Sequence, residues 1–148
     1  MIHLAQRRSL LLRALAVLAA LRAARSDAGE PQADAAARPG KKWYDAAVAM
    51  KRLALSWGDQ PYGAVLVLEE RLIGEGPSRV VKNNDPTAHA EREAIRDAQR
   101  RLNRTDLRGA VLYSTSRPCA ACESAAADAG LSRMIFGEGL HDAGVPRK

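Results

Sequence analysis

The residues best suited to chemistry lie in two short segments, His89-Ala90-Glu91 and Pro118-Cys119-Ala120-Ala121-Cys122. Two cysteines three apart at a helix start place both sulfurs on one side, and the free backbone N–H groups there favour thiolates. Two soft thiolates with one imidazole form a zinc set. Three protein ligands leave the fourth tetrahedral position for water, which is the catalytic rather than the structural arrangement. A Cys-x-x-Cys pair alone fits a redox couple equally well. His89 adds direction, because it occupies an equivalent turn of the preceding strand–helix unit. The carboxyl ends of adjacent parallel strands then bring two helix N-termini together.

Glu91 needs a particular placement to join that site. Residues two apart in a regular helix point in nearly opposite directions. Asp85-Pro86, read as an N-cap followed by proline at the first helical position, puts His89 in the first turn. There the imidazole reaches past the helix end while Glu91 leans toward the same water, to take its proton and return it to a leaving group.

The elements that must position these residues follow from period and punctuation. Ala46, Met50, Leu53 and Trp57 form one stripe of an amphipathic helix over Trp43 to Trp57. Gly58-Asp59-Gln60-Pro61 ends it, and Gly63 to Leu68 is a continuous apolar run of strand length. Glu69-Glu70-Arg71 turns the chain into a second strand, Leu72 to Gly76, giving a hairpin. A helix over Ala88 to Leu102, a strand over Ala110 to Thr115, a helix over Cys119 to Ala129 and a strand over Arg133 to Phe136 complete the pattern. Such alternation predicts parallel pairing with helices on both faces of a sheet.

Composition narrows the function classes. The 148 residues suit one domain, and 47% hydrophobic with 27% charged residues exclude both a disordered chain and a multi-span membrane protein. The net charge of +6 is unevenly spread. Residues 1–42 hold eight Lys/Arg against three Asp/Glu, and residues 43–148 hold fifteen against fourteen. The domain itself thus has no overall field to concentrate a polyanion, which disfavours a large nucleic-acid substrate. Arg96, Arg100, Arg101 and Arg104 recur at helical spacing, but Glu93, Asp97 and Asp106 interleave with them, as on a solvated face. Trp57 and Tyr62 border the first strand and read as core edges, and His141 as a solvated residue in a glycine-containing tail.

Residues 1–28 read as a targeting peptide. The first 26 positions lack acidic residues, carry Arg7, Arg8, Arg13, Arg22 and Arg25, and include the apolar run Ala14 to Leu21. Arg7-Arg8-Ser9-Leu10-Leu11 resembles a twin-arginine export signal, with Ser26-Asp27-Ala28 supplying small residues for cleavage. Export to the periplasm is the expectation, with import into an organelle such as the mitochondrion, or a cytoplasmic place, as alternatives. The segment is too short and too charged for a membrane span. Residues 29–42 read as a linker, and 43–148 as the domain that carries the chemistry.

The two chemistry-bearing segments of that domain have a known counterpart. Asp85-Pro86-Thr87-Ala88-His89-Ala90-Glu91 followed by Pro118-Cys119-x-x-Cys122 resembles the signature of the cytidine deaminase-like superfamily of zinc deaminases. Pro61-Tyr62-Gly63-Ala64, Gly74-Glu75-Gly76 and Leu112-Tyr113 are similar to the branch holding guanine deaminase and tRNA adenosine deaminase. The similarity covers about residues 43–137. The resemblance implies that His89, Cys119 and Cys122 bind Zn2+ and that Glu91 is the catalytic proton shuttle. A zinc-activated water would attack the ring carbon bearing an amine, and ammonia would leave. It also implies an α/β fold, a three-layer α/β/α sandwich around a mixed, largely parallel sheet, and a homodimer. Ser78 stands where relatives often carry Asn, and Arg117 where they usually carry Glu. Eleven residues follow Gly137, where relatives continue into a further strand and helix that help close the pocket.

The leading expectation is therefore a hydrolase deaminating a small nucleobase or nucleoside, guanine first, then cytosine-type and adenine-type compounds. A tRNA adenosine deaminase is the alternative enzyme. An exported Cys-x-x-Cys thiol–disulfide protein, or a zinc scaffold without activity, is the alternative of another class.

Overall fold

The computed structural model describes residues 38–148, so the leader read over 1–28 and residues 29–37 of the linker lie outside the described residues. Helix α1 runs Lys41–Ser56, beginning two residues before Trp43 and taking in the end of the segment read as linker. Gly40, at φ +88°, starts it in a left-handed conformation that glycine adopts without strain. Strands β1 (Gly63–Leu68) and β2 (Arg71–Pro77) form the expected hairpin. Glu69 and Glu70 alone make its turn, both at positive φ, the geometry that matches the twist of the flanking strands.

Helix α2 (Ala90–Leu102), strand β3 (Val111–Ser114), helix α3 (Ala120–Asp128) and strands β4 (Arg133–Phe136) and β5 (His141–Gly144) follow. The sheet order is β2-β1-β3-β4-β5. It is mixed, as expected, but not largely parallel: β3/β4 is the parallel pair, and β1/β2, β1/β3 and β4/β5 are antiparallel. The hairpin reverses β1 between β2 and β3, so an interposed antiparallel strand replaces the adjacent parallel pair that the alternation suggested. β2 and β3 still run the same way, and the helices that follow them still start at one edge of the sheet. β5 is a further correction, since His141 belongs to a strand beside β4. Its exposed ring packs on Phe136, with centroids 5.4 Å apart.

The sheet separates two cores, giving three layers. On one face Ala47, Val65 and Val67 pack with Trp43, Ala46, Met50, Leu72 and Tyr113. The helix thus meets the sheet through Trp43, Ala46, Ala47 and Met50, and Leu53 of the expected stripe is exposed. On the other face, Leu66, Ile73, Leu107, Leu112, Leu131 and Met134 pack against the alanines of α2 and α3.

Alanine and glycine set the distance between α2 and the sheet. A Cβ on Gly76 would collide with Ala90 O and with Ala94, and one on Gly74 with Ala94 O and Ala98. The two missing side chains let the helix lie directly on β2, which fixes where its N-terminus, and therefore His89, ends up.

Candidate metal centre

His89 does not sit in the first turn of α2. It is the N-cap residue, extended at φ −63° and ψ 152°. Asp85-Pro86 makes a separate turn: Asp85 Oδ1 accepts from Thr87 N at 2.8 Å, and Ala88 N donates to Asp85 O. A short side chain that bonds its own backbone two residues on competes with capping, and here the turn wins. The carbonyl of Ala88 is then held by Arg79 N at 3.0 Å, so the approach to α2 is fixed from the β2 side.

Cys119 is likewise the N-cap of α3, extended at φ −75° and ψ 166°. Neither His89 nor Cys119 uses its side chain to cap its helix. Both are left free to face each other across the sheet edge. Cys122, one turn into α3, is fully buried and Cys119 is exposed, both as free thiols.

The three donors close a triangle. His89 Nδ1 lies 3.6 Å from Cys119 Sγ and 3.5 Å from Cys122 Sγ, and the sulfurs are 3.3 Å apart. A tetrahedral zinc with Zn–S of about 2.3 Å and Zn–N of about 2.0 Å has ligand–ligand edges of about 3.5 to 3.8 Å. The two nitrogen–sulfur edges fit and the sulfur–sulfur edge is a little short. Imidazole with two thiols at two helix N-termini is also the donor chemistry zinc prefers, so the residues fit the ion.

Glu91 lies beside this triangle. It is the second residue of α2 and 4% exposed, with Oε2 3.6 Å from Cys122 Sγ and Oε1 accepting from Ser114 Oγ at 2.9 Å. His89 being half outside the helix is what lets two residues so close in sequence share one site. Burial, then the charge of Glu91, then Cys119 push the Cys122 thiol well above its ordinary range. A cation held by His89, Cys119 and Cys122 would offset that opposition to the Cys122 thiolate.

Ser114 went unrecognised in the sequence, where it is one more residue of a strand. Its place at the carboxyl end of β3 was the available signal, since that end faces the helix starts. Ser78, the position where relatives often carry Asn, is fully buried, and its hydroxyl donates to Asp59 Oδ1 at 2.9 Å. Asp59 also accepts from Gln60 N at 2.7 Å and Lys82 N at 2.8 Å. Burial raises the Asp59 carboxyl, but the N–H groups of Lys82 and Gln60 and the Ser78 hydroxyl outweigh it and hold the group below its usual value of 3.8. The knot ties the loop after β2 to the turn after α1. Arg117 is exposed, its guanidinium over the Phe136 ring at 5.9 Å. Trp57 is half-buried, covered by Arg79 and Lys82, and Tyr62 is exposed rather than a core edge.

Three of the four arginines of α2, Arg96, Arg100 and Arg101, are engaged by acids. Arg96 bonds Glu93 at 2.6 Å, Arg100 pairs with Asp97 at 3.3 Å, and Arg101 reaches Glu75 at 2.6 Å. That is the solvated face the interleaved acids predicted. No described helix is long and apolar enough to cross a membrane.

Comparison with known proteins gives a consistent set. The family model for the cytidine and deoxycytidylate deaminase zinc-binding region matches residues 38–138. The tRNA-specific adenosine deaminase of Buchnera aphidicola subsp. Schizaphis graminum is 37% identical over 100 residues, covering 68% of this chain and 66% of that protein. The guanine deaminase of Bacillus subtilis is 45% identical over 62 residues, covering 42% of this chain and 40% of that one. The chain spans 66, 60 and 65% of the length of three tRNA-specific adenosine deaminases that it matches. A structure from a study of A-to-I editing by tRNA:A34 deaminases superposes with a TM-score of 0.63 at 38% identity, covering 65% of this chain and 70% of that one. The crystal structure of Bacillus subtilis guanine deaminase gives 0.61 at 35% identity, covering 66% and 62%.

Proposed function

The chain belongs to the cytidine and deoxycytidylate deaminase family, and from that premise we propose that it catalyses hydrolytic deamination of a nucleobase or nucleoside. Guanine, cytosine-type and adenine-type compounds are the candidate substrates, with His89, Cys119 and Cys122 as zinc ligands and Glu91 as the catalytic acid and base. The observation that carries the reading is the triangle of His89 Nδ1 and two sulfurs with Glu91 Oε2 at its edge.

Zinc, when bound, supplies the Lewis acidity that makes water nucleophilic near neutral pH. His89, Cys119 and Cys122 would hold the ion. Glu91 takes a proton from the attacking water on Oε2 and delivers it to the departing amine. The water oxygen bonds the ring carbon, the carbon–nitrogen bond breaks, and ammonia leaves. Burial keeps bulk water away from Glu91, so the proton it takes goes to the substrate.

Ammonia release from the zinc-loaded chain, measured across guanine, cytosine, cytidine, adenine and adenosine, tests this reading. Turnover of at least one compound is expected, and silence across all of them contradicts it. The near balance of charge over 43–148 and the ion pairing of Arg96, Arg100 and Arg101 support a small substrate. The identity to tRNA-specific adenosine deaminases favours a second reading, in which an adenosine within tRNA is the substrate. An anticodon stem-loop in the same panel separates the two, since RNA binding weakens steeply as salt rises and base binding does not.

Export belongs to the proposal as well, supported by the arginine-rich, acid-free start of the sequence. A mature N-terminus near residue 28, read by mass spectrometry of the protein from its host, checks it. Sedimentation of the full chain checks the homodimer.

A further inference from the structure

A glutamate that both removes and returns a proton must present one defined oxygen to the reacting atoms. Glu91 has three side-chain torsions and two oxygens that are equivalent in solution. The fold makes them different. Oε2 faces Cys122, and Oε1 faces Ser114.

We propose that Ser114 is the positioning residue for Glu91: its hydroxyl fixes the carboxylate rotamer and reserves Oε1, so that Oε2 is the atom that carries the proton. The inference rests on the reading of Glu91 as the proton carrier. Three observations support it. Ser114 Oγ is 2.9 Å from Glu91 Oε1, and both side chains are buried, so water does not compete for the bond. Ser116 N lies 3.4 Å from the same Oγ. A backbone N–H only donates, so Ser114 Oγ accepts there and turns its own proton toward Glu91. Finally, Ser114 is paired with Ala64 on one side and Phe136 on the other. The hydroxyl is therefore anchored on the central strand, at its carboxyl end, rather than on a loop.

The bond persists through the cycle. When Oε2 takes the proton, Oε1 keeps its lone pairs and still accepts from Ser114, so the acid form is held in the orientation in which the base form received the proton. Nothing in the bond favours Oε1 as the site of protonation, because an O–H already occupies it.

Two variants and one substrate-free measurement test this. In the zinc-loaded full chain, acting on a compound the wild type deaminates, Ser114→Ala should lower kcat about tenfold or more. KM should stay within about twofold, and one zinc per chain should be retained. Ser114→Thr keeps the hydroxyl and should recover most of the rate. An unchanged kcat in Ser114→Ala, an equal fall in both variants, or a fall that tracks lost zinc would each overturn the proposal. The substrate-free arm is a double-mutant cycle on denaturant unfolding with Glu91→Ala. Ser114→Ala should shift the unfolding equilibrium at least about threefold more when Glu91 is present than when it is absent. Equal effects in the two backgrounds would overturn it. A wild type that deaminates nothing in the panel defeats the proposed function, and the cycle then still decides whether Ser114 holds Glu91.

Discussion

Glu91 Oε2 lies 3.6 Å from Cys122 Sγ, and both side chains are buried. Without a cation the pair is unfavourable, since burial and the neighbouring carboxylate both oppose ionisation of the Cys122 thiol. With a dication between His89, Cys119 and Cys122, the same closeness places a carboxylate beside the bound metal. In the proposed chemistry the contact would link metal binding by Cys122 on α3 to proton transfer by Glu91 on α2.

Metal removal should therefore be costly. Zinc that binds the folded chain alone stabilises it by about 4 kcal/mol at a thousandfold excess over Kd. Chelation is expected to lower the melting temperature by several degrees, reversibly on adding zinc back. Cys122→Ser should bind less than one zinc per chain under conditions where the wild type binds one. Calorimetry with and without chelator, and metal analysis of the variant, check the two outcomes.

Glu91→Gln keeps the shape and the acceptor for Ser114 but cannot carry the proton. Loss of a general acid–base residue costs roughly 10²- to 10⁴-fold in rate. We expect deamination to fall by at least that lower figure while zinc content stays at one per chain. A variant as active as wild type would remove Glu91 from the mechanism.

Much of this was legible in the sequence, for reasons that differ by element. β1 and β4 were readable to the residue because short apolar runs bounded by turn residues have few alternatives. His89, Glu91, Cys119 and Cys122 could be grouped because their types and spacing suit one chemistry. The turn at Asp85-Pro86 was misread because an aspartate that bonds Thr87 N and one that caps a helix look alike in sequence. The parallel share of the sheet was overstated because the hairpin interposes β1 between two strands of one direction. β5 is His-Asp-Ala-Gly, with two polar residues and no apolar alternation, so its pairing with β4 supplies what its sequence does not. Ser114 escaped notice because a hydroxyl in a strand acquires meaning only from what it faces.

Gly76→Ala tests whether the seat of α2 sets the metal site. The added methyl would meet Ala90 O and Ala94, so the helix must shift. Overpacking of this kind costs about 1 to 3 kcal/mol. Because His89 and Glu91 ride on that helix end, weaker zinc binding should accompany the lost stability. Denaturant unfolding and zinc titration of the same variant check both. A destabilised variant with unchanged zinc affinity would show that the site adjusts independently of α2.

The Asp59 knot gives a pH dependence. Its carboxyl is held below the usual value in the folded chain, so the ionised form stabilises the fold above the unfolded pKa. That contribution is full above about pH 5 and fades as pH falls through about 4 toward the folded value. Wild type should therefore exceed Asp59→Asn in stability near neutrality, with the difference shrinking on acidification. Unfolding curves at several pH values check this, and a difference independent of pH would contradict the assignment.

Zinc K-edge X-ray absorption on the metal-loaded full chain tests the central claim most directly. The account predicts one zinc per chain with two sulfurs at about 2.3 Å, one imidazole nitrogen at about 2.0 Å and one further light atom completing four-coordination. A shell of light atoms alone, a four-sulfur shell shared between chains, or no stoichiometric zinc would contradict it.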